Sequence, residues 1–263
     1  MAFDSLVTIE TNHRLCDSGF VVTFRSPRLA AEAQPGQFVM LGFPEGDDPL
    51  LRRPYSVYRI GRPGSAPDTC EVQYKIIGRG TARLASMRPG ETLQCLGPLG
   101  RGFEPPAEGR VPLLVAGGIG SAGVLHQAAA LVESGHRPTL LFGCRDAEDV
   151  PLVEGFDALR IPVEYATEDG CRGTRGLVTT LLEPRLAGTS LEIYACGPQP
   201  MLRAVARMAA GRAGCQVAME SHMACGFGVC LGCVVPAAHA EGYERYVRVC
   251  AEGPVFRAEE LEW

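Results

Sequence analysis

The chain has 263 residues, of which 46% are hydrophobic and 21% charged, a globular composition that excludes a disordered, collagen-like or coiled-coil protein. Its formal net charge is −5 and its basic residues, all Arg except Lys75, are dispersed, so no nucleic-acid partner is expected. No apolar run approaches the ~20 residues that span a bilayer, and Met1–Asp4 does not open a basic and then apolar leader, so a cytoplasmic protein without a membrane span is expected. Its 11 cysteines are an odd count, and in a reducing compartment they do not read as a disulfide framework.

In chain order, short β-branched and aromatic runs come first: Val7–Glu10, Phe20–Phe24, Gln37–Phe43, Tyr55–Ile60, Glu71–Ile77 and Thr92–Leu96. Turn chemistry such as Gln34-Pro35-Gly36 and Arg88-Pro89-Gly90 separates them, and six such strands predict an antiparallel barrel over 1–104. From about 110 strands alternate with helices, which predicts a parallel α/β sheet over 105–214. The strands are Val111–Ala116, Thr139–Phe142, Pro162–Ala166 and Leu191–Ala195, and the helices Ala122–Ser134 and Gln199–Gly211. The stretch 215–263 has no long periodic segment and is too small to bury its own core without a metal or disulfides.

Cys225, Cys230, Cys233 and Cys250 are crowded into that last stretch with the spacing C-x4-C-x2-C and a distant fourth. This is the plant-type ligand spacing of a [2Fe–2S] cluster. Four thiolates must converge on two irons, and Gly226, Gly228 and Gly232 give the loop the freedom to wrap them. A structural zinc site is the alternative, but zinc sets usually show two C-x2-C pairs.

Three further segments suit nucleotide chemistry. Arg53-Pro54-Tyr55-Ser56 offers a guanidinium for phosphate beside an aromatic ring and a hydroxyl, with Gln73, Tyr74 and Lys75 and then Gly80-Thr81 at a helix start as companions. A tight turn with a capping Thr is the plainer reading of Gly80-Thr81. Gly117-Gly118-Ile119-Gly120-Ser121-Ala122-Gly123 holds a G-x-G-x-x-G between a strand and a helix, where backbone can approach a pyrophosphate. Cys196-Gly197-Pro198 turns from another strand end into a helix. Candidates for the ribose contact are Asp146, Glu148, Glu168 and Asp169, with Arg145 a conceivable partner for a 2′-phosphate. The histidines at 13, 126, 136, 222 and 239 form no ligand spacing, and no hydrolytic residue set stands out.

Taken in order, these segments resemble the ferredoxin–NADP reductase superfamily. Glu220–Cys233 and Val249–Phe256 narrow the resemblance to the electron transfer subunits of NAD-dependent dihydroorotate dehydrogenase B. The resemblance implies an FAD-binding barrel (1–104), an NAD-binding α/β domain (105–214) and a [2Fe–2S] domain (215–263). FAD would lie against Arg53–Ser56, Gln73–Lys75 and Gly80–Thr81, the nicotinamide against Gly117, Gly118, Gly120 and Cys196–Pro198, and the cluster on the four cysteines. It also implies a hetero-oligomer, a heterotetramer, with an FMN-containing catalytic subunit that oxidises dihydroorotate in pyrimidine biosynthesis. Electrons would leave that FMN singly, cross the cluster, collect on FAD and pass to NAD as hydride. No side chain need act as acid or base, so no catalytic residue is expected. Within the superfamily the alternatives are subunits of a sulfide dehydrogenase, an NADH-dependent ferredoxin–NADP reductase or a hydrogenase diaphorase. Some of these carry Asp at the first cluster position, where this chain has Cys225. A zinc-stabilised binding module is the remote alternative. The family's glycine loop commonly continues into proline, where this chain has Ala122-Gly123.

Overall fold

In the computed structural model of the chain, residues 2–46, 48–61, 68–238 and 241–263 are described. Short β-branched and aromatic runs, alternately buried along β1 and buried throughout β3 and nearly all of β6, build a curled antiparallel sheet first. It comprises β1 (Phe3–Arg14), β2 (Gly19–Arg25), β3 (Phe38–Gly42), β4 (Arg53–Ser56), β5 (Arg59–Ile60), β6 (Thr69–Lys75) and β7 (Thr92–Leu99). The strand order is β4-β3-β7-β1-β2-β6-β5. The predicted strand Tyr55–Ile60 is therefore two strands at opposite ends of the sheet. Val57 N–H donates to Gln37 O beside β3, and Tyr58 N–H donates to Glu71 O on β6. The chain itself thus closes the sheet, where the sequence predicted a barrel, and brings Tyr55 to 6.0 Å from Tyr74 between ring centroids. Leu29 of α1 (Pro27–Glu32) and Leu84 of α2 (Arg79–Ser86) join this interior.

The second sheet follows the predicted strand–helix rhythm: β8 (Val111–Gly117), α3 (Ser121–Glu133), β9 (Thr139–Cys144), β10 (Val163–Thr167), β11 (Thr174–Arg175), α4 (Thr179–Arg185), β12 (Leu191–Cys196), α5 (Gln199–Ala209) and β13 (Gly214–Ala218). In the last stretch β14 (Val234–Pro236) pairs with β15 (Tyr246–Arg248), and β16 (Val255–Arg257) returns to the large sheet. The order is β11-β10-β9-β8-β12-β13-β16. The strands β8 to β13 are all parallel, as predicted, and β16 from the last stretch adds an antiparallel edge on β13 that makes the sheet mixed. The point between 214 and 215 where the sequence predicted a boundary lies inside β13.

α3 and the 3-10 segment Ala147–Leu159 cover one face of this sheet, with Leu125, Leu152 and Phe156 in the packing. α4 and α5 cover the other through Leu182, Leu202 and Val205. A polar knot ties the returning strand in. Fully buried Glu192 of β12 accepts from Arg110 at 2.7 Å, from Arg257 of β16 at 2.5 Å and from Gln216 at 2.9 Å. Among the described residues no helix is long and apolar enough to cross a membrane. His239 lies outside the described residues.

On α3, His126 keeps a buried Nδ1 without a hydrogen-bond partner, and burial depresses its pKa from 6.5 to about 4. A depressed histidine favours folding fully above pH 6.5, and the contribution is lost as pH falls toward 4, because the unfolded chain takes up the proton first. At pH 5 the loss from this residue is about 2 kcal/mol. His126→Leu is expected to flatten the fall in denaturation midpoint between pH 7 and pH 5 relative to the parent chain, measured by urea unfolding at both values.

Candidate functional site

The central sheet begins at β8, runs outward through β9 and β10, and then crosses back to β12 on the other side of β8. Loops at the carboxyl ends of β8 and β12 therefore diverge and leave a crevice, the ligand position of open α/β sheets. Ala116 and Cys196 are direct partners in the ladder, so Gly117–Gly120 and Gly197–Pro198 stand side by side. Their fit leaves no room for side chains. A Cβ on Gly120 would meet Cys196 O at 2.4 Å, and one on Gly117 would meet Met201 Sδ at 2.6 Å. The crevice is a cavity of about 620 Å³ whose lining includes Gly117, Gly118, Gly120, Gly197 and Pro198.

Lys75 enters this cavity from β6 of the first sheet and pairs with Asp149 at 2.5 Å. Two residues earlier on the same face of β6, Gln73 Nε2 donates to Leu152 O at 2.9 Å, and Ser121 Oγ donates to Leu152 O at 3.1 Å. Gln73 and Lys75 thus stitch the two sheets together. Tyr74, between them, points the opposite way: it stacks on Phe20 and donates to Asn12 Oδ1 at 2.9 Å inside the curled sheet. Tyr74 therefore stays within the first sheet beside Tyr55, while Gln73 and Lys75 reach the second.

Gly123, in the Ala122-Gly123 pair that stands where the family's loop commonly continues into proline, is required by the same seam. A Cβ there would meet Cys196 Sγ at 2.6 Å and lie 3.6 Å from Ser56 Oγ. Ser56 at the end of β4 and Cys196 at the end of β12 therefore converge on the first turn of α3. Burial, reinforced by the Glu220 carboxylate, holds the Cys196 thiol neutral, well above its ordinary range. Glu220 also lines the cavity, and burial raises its carboxyl pKa. Sequence reasoning missed Glu220 and Asp149 as site residues. Glu220 carried a usable signal, since it stands two residues beyond a strand at the ligand-binding edge; nothing local marked Asp149.

On the outer side of β4, Arg53 lies over the start of α2, where a Cβ on Gly80 would meet its Nε at 2.9 Å. Thr81 spends its hydroxyl locally: it accepts from Ile77 N–H at 2.9 Å and Gly78 N–H at 3.2 Å. Thr81 is thus not the N-cap, which is Gly78, but the third helical residue, and its hydroxyl ties back to that cap. The first i→i−4 bond of the helix is Ala82 N–H to Gly78 O, which leaves the amides of Arg79, Gly80 and Thr81 as first-turn donors beside Arg53. The donor set is that of an anion cradle. Beside it, Leu50, Leu51 and Ile77 expose apolar side chains, Ile77 to 88%. A cation, first-turn amides and uncovered apolar surface fit a flat ring system that carries a pyrophosphate.

Cys225, Cys230 and Cys233 lie on a loop seated on the first sheet, and the turn after β15 brings Cys250 to it. Gly226 has φ +81°, and a Cβ there would meet Met40 Cγ of β3 at 2.6 Å. Gly228 has φ +90° and faces Arg248, whose Nη1 donates to Gly228 O at 2.8 Å while its other nitrogens grip Glu252. The third left-handed residue is Leu231, not Gly232 as the spacing suggested. The thiols come in pairs: Cys225 beside Cys230, and Cys233 beside Cys250, whose N–H donates to Cys233 Sγ at 3.4 Å. Burial opposes ionisation of Cys225, but the amides of Cys230, Phe227 and Val229 outweigh it and draw the thiol down to about 6. Among the described residues no three His, Cys, Asp or Glu side chains gather as ligands of one ion. Two adjacent thiol pairs fit a two-iron cluster, with two thiolates per iron, better than one tetrahedral ion.

Comparison with known proteins decides the family. Residues 220–262 match the iron-sulfur cluster binding domain of dihydroorotate dehydrogenase B. The chain is 38% identical over 262 residues to the dihydroorotate dehydrogenase B (NAD(+)) electron transfer subunit of Geobacillus kaustophilus, covering 97% of each chain. It belongs to the family of dihydroorotate dehydrogenase B electron transfer subunits. The homolog of that subunit from Aquifex aeolicus is 35% identical over 91% of each chain. The solved NADH-dependent reduced ferredoxin-NADP oxidoreductase, studied for flavin-based electron bifurcation, superposes with a TM-score of 0.84 at 28% identity, covering 98% of this chain and 90% of that one. The family assignment therefore rests on the subunit sequences, and the superfamily fold on the structure.

The two cradles should separate on mutation. Arg53→Ala is expected to strip flavin from the purified chain while leaving its iron content unchanged. Gly120→Ala, which drives a methyl group into Cys196 O, is expected to leave flavin and iron in place and to weaken NADH binding at least tenfold. Flavin and iron analysis with an NADH titration checks both.

Proposed function

We propose that this chain serves as the electron transfer subunit of an NAD-dependent dihydroorotate dehydrogenase, receiving electrons from an FMN-containing catalytic partner. The observation that carries the reading is the placing of the paired cysteines on β3, next to β4 and its Arg53 cradle, which in turn adjoins the glycine crevice at Ser56. The chain is an oxidoreductase subunit that carries FAD and a [2Fe–2S] cluster and uses NAD as co-substrate. When bound, the flavin exchanges hydride with NAD and single electrons with the cluster.

The residues serve that exchange by position. Arg53 and the α2 amides neutralise the flavin pyrophosphate, and Ser56 and Cys196 border the meeting place of flavin and nicotinamide. Gly117, Gly118, Gly120, Gly197 and Pro198 let the dinucleotide approach the backbone. Cys225, Cys230, Cys233 and Cys250 hold the cluster, with Arg248 riveting the loop. No acid or base is needed. The working units are the curled sheet for FAD, the central sheet for NAD and the segment after Met219 for the cluster. The solved NADH-dependent oxidoreductase makes a ferredoxin-linked subunit the second reading.

The catalytic partner docks over the cluster loop. Phe227, Val229 and Leu231 expose 56%, 72% and 60% of their surface around exposed Cys230, an apolar patch on the loop that must come near the partner's flavin. An anaerobically purified chain is expected to show flavin bands over a broad iron–sulfur shoulder, with roughly two irons and one FAD. Mixed with the FMN subunit it should reduce NAD at the expense of dihydroorotate; turnover with ferredoxin but not with dihydroorotate would select the second reading. Val229→Glu together with Phe227→Glu is expected to keep iron and flavin but abolish co-elution with the partner in size-exclusion chromatography.

A further inference from the structure

The crevice has two ends. Lys75, Gly120, Gly197 and Glu220 lie where the two sheets meet, beside Ser56 and Cys196; the far end is lined by Gly143, Cys144, Arg145, Glu168 and the stretch Gly176–Thr179. A dinucleotide with its pyrophosphate on the glycine loop after β8 and its nicotinamide toward Cys196 sends its adenosine the other way, over the ends of β9 and β10. The end of β10 lies two strands from β8, about 10 Å away. Leu177, 60% exposed, gives that end an apolar wall suited to a purine.

Five acidic residues stand near this end, and four are already engaged. Asp146 accepts from Glu148 N–H at 3.0 Å as the cap of the 3-10 segment, and Glu148 accepts from Ser18 Oγ at 3.1 Å. Asp149 is paired with Lys75. Asp169 Oδ1 accepts from Cys171 N–H at 3.0 Å within its own turn. Glu168 differs. It is exposed on the cavity wall, its backbone is fixed by the bond from its N–H to Cys144 O at 3.1 Å, and its carboxylate has no partner among the described residues.

We propose that Glu168 accepts the hydroxyls of the adenosine ribose and makes this crevice prefer NAD to NADP. The assignment rests on the reading of the crevice as the nicotinamide dinucleotide site. Ionised carboxylates only accept hydrogen bonds, so a ribose diol satisfies Glu168, whereas a 2′-phosphate would place a second anion against it. Arg145 lines the same end and is a cation placed to answer a 2′-phosphate. Of the cavity's other carboxylates, Glu220 lies toward the nicotinamide end and Asp149 is neutralised by Lys75, which leaves Glu168 as the local charge that decides.

The test uses the subunit loaded with FAD and cluster, in complex with its FMN partner. Anaerobic flavin bleaching by NADH and by NADPH gives the rates, and calorimetry with ADP-ribose and 2′-phospho-ADP-ribose gives binding without hydride transfer. The parent protein should favour NADH and ADP-ribose. Glu168→Ala should raise the NADH KM and the ADP-ribose Kd roughly tenfold or more, with little change in the bleaching rate at saturation. Glu168→Gln should improve NADPH and 2′-phospho-ADP-ribose relative to their unphosphorylated forms by a similar factor, and Asp169→Asn should alter none of these. An unchanged ratio in Glu168→Gln overturns the proposal, as does a parent preference for NADPH that Arg145→Ala abolishes. Failure of the parent to bind either probe or to be bleached by either dinucleotide overturns the crevice reading itself, and the proposal with it.

Discussion

The seam between the two sheets is the contact on which the rest of this molecule depends. It is made largely by one strand. Gln73 and Lys75 leave the same face of β6, one to Leu152 O and the other to Asp149, and Arg59 of neighbouring β5 reaches Gly155 O at 2.8 Å. The Lys75–Asp149 pair is nearly closed to solvent, at 18% and 10% side-chain exposure. Removing one partner of such a buried pair leaves the other charge without compensation, at a cost of about 3–5 kcal/mol. Electron transfer needs its two nucleotide sites held face to face at fixed distance, and a seam of buried polar bonds specifies that distance more sharply than apolar contact would. The close approach at Gly123, with Ser56 on one side and Cys196 on the other, follows from the seam being in register.

The cluster segment is too small to stand alone, and the structure shows what it borrows. Cys233, Val249 and Cys250 are buried in the same cluster as Phe38 and Met40 of β3 and Ile193 of β12. β16 then extends the central sheet by a seventh strand, and Arg257 anchors it on Glu192 and Glu104. The loop carrying the cysteines is thus clamped from both sides. Its tip remains in solvent because Phe227, Val229 and Leu231 have nothing of this chain to pack on. A redox loop buried on its ligand side and apolar on its exposed side is built to be covered by another protein.

What the sequence revealed was whatever is local in the chain. The C-x4-C-x2-C spacing, the glycine loop between Val115 and Val124, and the Arg53–Ser56 segment each fix their chemistry within about a dozen residues. The strands could be read for the same reason, since the alternating burial of β1 and the near-continuous apolar, β-branched and aromatic runs of β2 and β6 are properties of consecutive residues. Contacts between distant segments could not be read. Asp149 becomes part of the site only because a 3-10 segment with no clear periodicity is folded over β6. The break between β4 and β5 is invisible in Tyr55–Ile60, because it arises from the closure of the sheet and not from any residue there. Tyr74 takes the face of β6 opposite to Gln73 and Lys75, and nothing within the segment says which face meets the second sheet.

The 11 cysteines show how environment assigns roles to one side chain. Cys70, Cys95 and Cys215 are buried in the two sheets, where desolvation pushes their thiols upward, Cys95 and Cys215 to about 12. A thiol held neutral at every physiological pH is a small apolar side chain. Cys225 is pushed up by desolvation too, yet the amides of a loop bent by Gly226 and Gly228 donate to its sulfur and reverse the sign. The spacing of the cysteines matters because it sets the number of amides between them. Four residues between the first and second ligands leave enough free N–H groups to stabilise a thiolate, and thiolates are what iron requires. Cys70, Cys95 and Cys215, within strands, have no such amides, since the sheet ladder has already spent them.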